Sequence, residues 1–255
     1  FETAQFVGLQ NFFDIFAGNS VGRDFKAALL NTGLYTLASV VVILPLSVAL
    51  GLLVHQKFAP GGVLLRTVLF ATYMVPMIAV ALVFSKLYSP SEGPLNQILG
   101  WIGIPPQTWL SSPQTALGSI VLLNIWQQIG YFTVLAVAGL TQIPDSLYEA
   151  AKIDGATEWQ ALRYVILPAL SGVIVTCAIL AISGSLQSFA LIFAMTAGNP
   201  ARRTSVLSLY MYDAAFRGAP DYGLANAIST FMVALSLVLI AILKVVEKRA
   251  GGREE

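Results

Sequence analysis

Charge is scarce in this chain. Asp, Glu, Lys and Arg make up 11% of its 255 residues, and none of them occurs from Gly93 to Pro144, from Tyr164 to Ala201 or from Tyr222 to Leu243. A soluble domain carries about a quarter charged residues, so these runs exclude an ordinary water-soluble globule. The net charge of +1 offers no basic surface for a nucleic acid, and none is expected as a partner. Cysteine is nearly absent. The single Cys177 lies in an apolar run and cannot close an internal disulfide, and one His with no Cys/His cluster leaves no recognisable zinc site. No GxxxxGK[ST] run occurs, so ATP is not bound by that route; no cofactor is expected on this chain, and no catalytic constellation stands out. Repeats, low-complexity tracts and linkers are also missing, which makes residues 1–255 a single membrane domain.

What the chain has in quantity is apolar side chains: 56% of residues, with a mean hydropathy of +0.76. A bilayer core takes about 20 apolar helical residues to cross. Runs of that length fall near 30–54, 67–88, 115–140, 169–194 and 224–246, giving five spans. Each must satisfy its own backbone in lipid, and none alternates like a strand, so the fold class is all-α and polytopic. Pro45, Pro76 and Gly130 inside these runs would interrupt a strand more surely than a packed membrane helix.

Between the third and fourth runs lies a charged, amphipathic stretch, Glu149 to Pro168 (EAAKIDGATEWQALRYVILP). Ser146 followed by Glu149, and Thr157 followed by Gln160, have capping-box spacing, which predicts two short helices. Gly155 between them suits the left-handed residue that ends one helix and turns the chain to the next. Pro168 falls where the second helix must give way to the following apolar run.

The fixed spacings in this stretch resemble the cytoplasmic coupling loop of ATP-binding-cassette importer permeases. That family's pattern is Glu-Ala-Ala, three residues, Gly, nine residues, Ile, any residue, Leu-Pro. Glu149, Ala150, Ala151, Gly155, Leu167 and Pro168 match it, and Val165 replaces the Ile. The resemblance implies a type I importer transmembrane domain in the cytoplasmic (inner) membrane, with the loop over about 141–168 in the cytosol. It also implies the partners: a second, homologous permease subunit, two ATPase subunits that bind ATP and Mg, an extracytoplasmic solute-binding protein, and lipid. The contact helix would run from Glu149 to Gly155, with Glu149 and Asp154 able to pair with basic groups of the ATPase and Ala150, Ala151 and Gly155 shaping the joint; capping is the structural alternative for Glu149.

With the loop inside, Lys57, Arg66, Lys152, Arg163, Lys244, Lys248, Arg249 and Arg253 are cytosolic, and Arg23, Lys26, Lys86, Arg202, Arg203 and Arg217 are external. Eight against six agrees with the positive-inside rule but does not decide the orientation. Five spans with a cytosolic C-terminus put the first residues outside. In the resembling family a first span precedes a segment like Phe6–Phe16, so a helix before Phe1 is expected; a removed secretory signal is the alternative.

A solute path leaves polar groups within the spans. Asn124, Gln127, Gln128 and Tyr131, at i, i+3, i+4 and i+7, share an arc of about 100° on one helix face. Amides and a phenol offer donors and acceptors without charge, which suits sugar hydroxyls, and Tyr131 or Trp126 can stack on a sugar ring. By resemblance, this helix supplies substrate contacts in carbohydrate-importing members; the structural alternative is hydrogen bonding between helices. Ala181, Gly184, Ser185 and Ser188 share a second face, whose small residues suit tight helix packing; by resemblance, the corresponding positions of carbohydrate permeases contribute to the substrate pocket, which makes Ser185 and Ser188 substrate-contact candidates. Asn226, Ser229 and Thr230 repeat the spacing and read as packing. Without nearby Arg or Lys a neutral sugar fits better than an anion, although a cation from the partner permease would admit glycerol phosphate. A stand-alone proton-coupled carrier is expected to hold Asp or Glu within its spans, and there is none, though a secondary transporter that binds sodium through backbone carbonyls needs no carboxylate. Outside, residues 89–114 read as a turn-rich excursion and Val206–Phe216 as a short helix, either able to meet a solute-binding protein. Trp101 and Trp109 read as interfacial aromatics, His55 and Lys57 as an ordinary helix end, and the terminal GGREE as a frayed tail.

Overall fold

The apolar runs fold as helices because a chain in hydrocarbon has no other local way to pair every N–H and C=O. The computed structural model describes residues 7–55 and 61–251, and in it no strand occurs among the described residues. Phe6, Lys57, Arg253 and the tail beyond Gly251 lie outside the described residues, as does the side chain of Arg249. In chain order the helices are α1 (Gln10–Phe16), α2 (Ser20–Val54), α3 (Gly62–Met74), α4 (Met77–Leu87), α5 (Pro94–Trp101), α6 (Ala116–Leu140), α7 (Asp145–Ile153), α8 (Glu158–Ala161), α9 (Leu167–Ala169), α10 (Ser171–Leu186), α11 (Ala190–Met195), α12 (Leu207–Phe216) and α13 (Tyr222–Gly251). Among them α2, α6 and α13 are long and apolar enough to cross a membrane, and up to five spans result if two bent pairs each count as one.

Three expectations need correction. The run near 67–88 is not one helix: α3 and α4 meet at 93°. Proline's ring crowds the residue before it out of the helical region, and Val75 accordingly sits at φ −74, ψ 132. The run near 169–194 ends early, since α10 stops at Leu186 and α11 is a separate helix. Nor does the chain break at Pro168. Residues Leu162–Ile166 form a π-helical turn that continues into α9, whose Pro168 occupies an opening position. A wide turn spares proline the clash with the preceding turn's carbonyl, and the 65° bend falls after Ala169 instead. By contrast, Pro45 stays inside an unbroken α2.

The described chain divides into two compact units. The first takes residues up to Ala38, Pro76–Leu123 and Gly184–Leu237; the second takes Ser39–Val75, Asn124–Ser183 and residues from Val238 on. The first is centred on Ile15, Phe25, Leu207, Tyr210 and Ile228. Its Phe16, Phe25 and Phe231 meet edge to face at centroid distances of 5.1–5.8 Å, a geometry set by the ring quadrupole. The second has one cluster of Ile43, Phe132, Cys177 and Ala181 and another of Leu140, Ile166 and Leu170. Within it Gly130 is a point of closest approach, because a β-carbon there would stand 1.9 Å from the carbonyl oxygen of Leu69. Small residues are what let membrane helices come this close.

Candidate functional site

The elbow between α6 and α10 is built by local rules. Pro144 (φ −59, ψ 137) precedes α7 and provides no side-chain cap. Asp145 stands in the first turn and Lys152 in the last, each at the helix end whose partial charge it opposes. Ser146 therefore lies inside the first turn, and the capping box expected from Ser146 and Glu149 does not form. The second box does form. Thr157 N–H donates to Gln160 Oε1 at 2.8 Å, and Gln160 N–H donates to Thr157 Oγ1 at 3.3 Å. Gly155 has φ +78. Around it, Ala156 N–H donates to Ala151 O at 3.0 Å and Gly155 N–H to Lys152 O at 3.1 Å, the two bonds of a Schellman motif.

A clasp across this turn carries no motif in the sequence. Tyr148 donates its phenol proton to Glu158 Oε2, and Lys152 lies 3.8 Å from Glu158 Oε1 and 4.7 Å from the Tyr148 ring centroid. Its ten-residue separation closes only once the Gly155 turn is in place. The carboxylate's hydrogen bond pushes the Tyr148 phenol up to about 12. A raised phenol pKa means that the clasp's contribution is complete below the free phenol's value of about 10 and is lost only as pH climbs through that higher value.

Tyr148, Ile143 and Leu162 pack onto the Leu140–Ile166–Leu170 cluster, which fixes the elbow to the ends of α6 and α10. Glu149, Ala150, Asp154 and Gly155 are exposed, while Ala151 is buried. Large apolar side chains are also exposed here: Ile153 at 86%, Tyr164 at 70% and Trp159 at 64%. Between α7 and the π turn, Ala150, Ala151, Asp154, Gly155, Gln160 and Tyr164 line an open groove of about 490 Å³.

The polar stripe of α6 is real as a face but divided in its employment. Asn124 is buried and donates to Ser39 Oγ at 3.2 Å. Gln127 is buried and donates to Val75 O at 2.9 Å, satisfying a carbonyl at the α3–α4 break, while its own Oε1 has no hydrogen-bond partner. Gln128 and Tyr131 are partly exposed. Tyr73, which sequence reasoning missed, stacks on Tyr131 at 4.6 Å between ring centroids. Gln127→Leu is accordingly expected to cost about 0.5–1.5 kcal/mol, the net worth of the one hydrogen bond it removes from the Val75 carbonyl. Thermal unfolding of the purified assembly measures it, and an unchanged midpoint would remove the bond from the account.

In the other unit, Ser185 is buried and Ser188 partly exposed. Ser188 Oγ lies 2.9 Å from the hydroxyl of Tyr35. Thr230 donates to Asn226 O within its own helix.

Residues 43–252 match the family described as "Binding-protein-dependent transport system inner membrane component". The trehalose/maltose transport system permease protein MalF of Thermococcus litoralis is 32% identical over 237 residues, covering 92% of this chain and 78% of that one. The diacetylchitobiose uptake system permease protein NgcF of Streptomyces coelicolor is 30% identical over 263 residues, covering 98% and 72%. Among solved structures, a bacterial ABC transporter involved in the import of the acidic polysaccharide alginate superposes with a TM-score of 0.85 at 25% identity, covering 97% of this chain and 85% of the other.

Proposed function

From the premise that the chain belongs to the family of binding-protein-dependent transport system inner membrane components, we propose that it carries a neutral sugar or oligosaccharide across the cytoplasmic membrane by alternating access. It is the permease subunit of an ATP-binding-cassette importer. In this reading it catalyses nothing itself. Separate ATPase subunits hold ATP and Mg, a second permease completes the pore, and an external binding protein delivers the solute. While the ATPases are apart the pore faces the cytosol. Their ATP-driven closure moves the elbow as a rigid body and opens the solute path outward, and hydrolysis resets it.

The observation that carries the substrate class is the pairing of amide and hydroxyl faces with runs that lack charge. Gln128 and Tyr131 on α6, and Ser188 in the other unit, are partly exposed and offer neutral donors and acceptors, with Asn124, Gln127 and Ser185 buried behind them in their own units, while no charged residue lies from Gly93 to Pro144 or from Tyr164 to Ala201. A relative named for trehalose and maltose and another named for diacetylchitobiose support a carbohydrate. The structural neighbour that imports an acidic polysaccharide keeps an anionic solute, glycerol phosphate included, as the second reading, with the cation supplied by the partner permease.

Replacing Gln128 or Tyr131 with leucine tests the reading. With maltose, trehalose, diacetylchitobiose and glycerol phosphate offered through the assembled transporter, each change is expected to raise the half-saturating concentration of the stimulating solute about ten-fold, the effect of leaving a polar partner unmatched. Unaltered affinity in both variants removes α6 from the site, and stimulation by glycerol phosphate alone overturns the neutral sugar.

A further inference from the structure

We propose that Tyr35 is a positioning residue that sets the hydroxyl of Ser188 as a hydrogen-bond donor toward the solute; the inference rests on the reading of Ser188 as a solute contact. Tyr35 lies on α2 and is wholly buried, far in sequence from Ser188, and the two oxygens are 2.9 Å apart. Distance alone leaves the direction of that bond open. The surroundings decide it. A phenol O–H with no exposure must find an acceptor inside the protein, whereas a partly exposed serine can place its proton elsewhere. Tyr35 therefore donates and Ser188 accepts. A hydroxyl carries one proton and two lone pairs, so Ser188 keeps its proton for a group in front of it. The atom that receives it would be a sugar hydroxyl or ring oxygen.

The rest of α2 makes this geometry durable. Asn31 donates to the carbonyls of Arg202 and Ser205 at 3.0 and 2.9 Å, and Thr32 Oγ1 accepts the Leu207 N–H at 2.9 Å. Asn31, Thr32 and Tyr35 thus hold the chain at both ends of the segment from Ser188 to Leu207. Asn31 and Thr32 fix backbone. Tyr35 alone reaches a side chain that the proposed solute would touch, so it acts on recognition as well as on position.

Tyr35→Phe removes only the oxygen and keeps the ring, which separates orientation from folding. Solute-stimulated ATPase and uptake of the assembled transporter are to be measured with maltose, trehalose and diacetylchitobiose, alongside recovery of the intact assembly, for Tyr35→Phe, Ser188→Ala and the double variant. Expected is a rise of about three- to ten-fold in half-saturating solute for Tyr35→Phe, within the worth of one hydrogen bond, at unchanged maximal velocity. The double variant should be no worse than Ser188→Ala, because Tyr35 acts only through that hydroxyl. If Ser188→Ala itself leaves affinity unaltered, the reading of Ser188 falls and this inference with it. Should Ser188→Ala weaken affinity while Tyr35→Phe does not, or should the two effects multiply, the positioning role alone is overturned. Stimulation by none of the three sugars defeats the carbohydrate reading itself.

Discussion

Gly130→Ala, the addition of one methyl group, is expected to strip most of the assembled transporter from the membrane. The β-carbon would lie 1.9 Å from Leu69 O, 2.3 Å from Leu69 C and 2.9 Å from Phe70 N. All three are backbone atoms, so no side chain can rotate away, and α3 must retreat from α6 by more than an ångström. That retreat also pulls Val75 O from Gln127 Nε2, now 2.9 Å away, and unseats Tyr73 from Tyr131. Close backbone approach is a main source of helix association in lipid, and overpacking compounded with the loss of this part-buried bond is worth about 3 kcal/mol. An effect of that size lowers the folded-to-unfolded ratio by about a hundred-fold, and in cells a loss of even about 1–2 kcal/mol changes abundance several-fold because the unfolded fraction is degraded. Gly118→Ala, on the same helix but with nothing within 4 Å of the added carbon, should be neutral or slightly stabilising, since alanine is the better helix former. Quantitative blotting of membranes and size-exclusion of the solubilised complex compare the two. Equal recovery of both variants would refute the close packing of α3 on α6.

The same pair of helices marks how far the sequence can be read. Apolar runs locate 115–140 within a residue of α6, and 224–246 lies within α13, because hydrophobic length is a local property. Pro76 announces a disturbance, yet not its size. A 93° turn in an apolar segment exposes carbonyls that only a neighbour can satisfy, and the neighbour is Gln127, 52 residues onward. Long-range partners of this kind carry no spacing signal. Asn31, Thr32 and Tyr35 give no signal for the same reason: each looks like an isolated polar residue in an apolar helix until Ser188 and the segment from Arg202 to Leu207 are folded against them.

Local competition explains the other discrepancy. Ser146 and Glu149 have capping-box spacing, but Pro144 fixes its own φ at −59 and starts the helix one residue before Ser146, so the serine is already helical and cannot cap. Thr157 and Gln160 have the same spacing and no such neighbour, and there the box closes. Gly155 was legible because its reason is intrinsic to one residue. The Tyr148–Glu158 clasp was not, since it depends on the turn that Gly155 makes.

That turn yields the second large expectation: Gly155→Pro should abolish uptake while leaving the spans in the membrane. Proline holds φ near −65°, and Gly155 is at +78; the two are incompatible. The substitution also deletes the N–H that bonds Lys152 O. Misplaced proline costs about 3 kcal/mol, more than the exposed clasp of Tyr148, Lys152 and Glu158 can offset, because surface ion pairs contribute about 0–1 kcal/mol. The elbow would therefore lose its shape before the buried anchor of Leu140, Ile166 and Leu170 gives way. Ala150, Asp154 and Gly155 would no longer line one groove, and co-purification of the ATPase subunits should fall about ten-fold or more, the consequence of about 1.4 kcal/mol at an interface. Helix content by circular dichroism should be nearly unchanged, since α7 and α8 together are a small part of the helical residues. Gly155→Asn, which tolerates the left-handed region better than other side chains, should restore a substantial share of both uptake and assembly. A proline variant that transports and retains its ATPases would show that the elbow transmits nothing. If instead proline abolishes both and asparagine rescues neither, the left-handed turn is not what the joint requires.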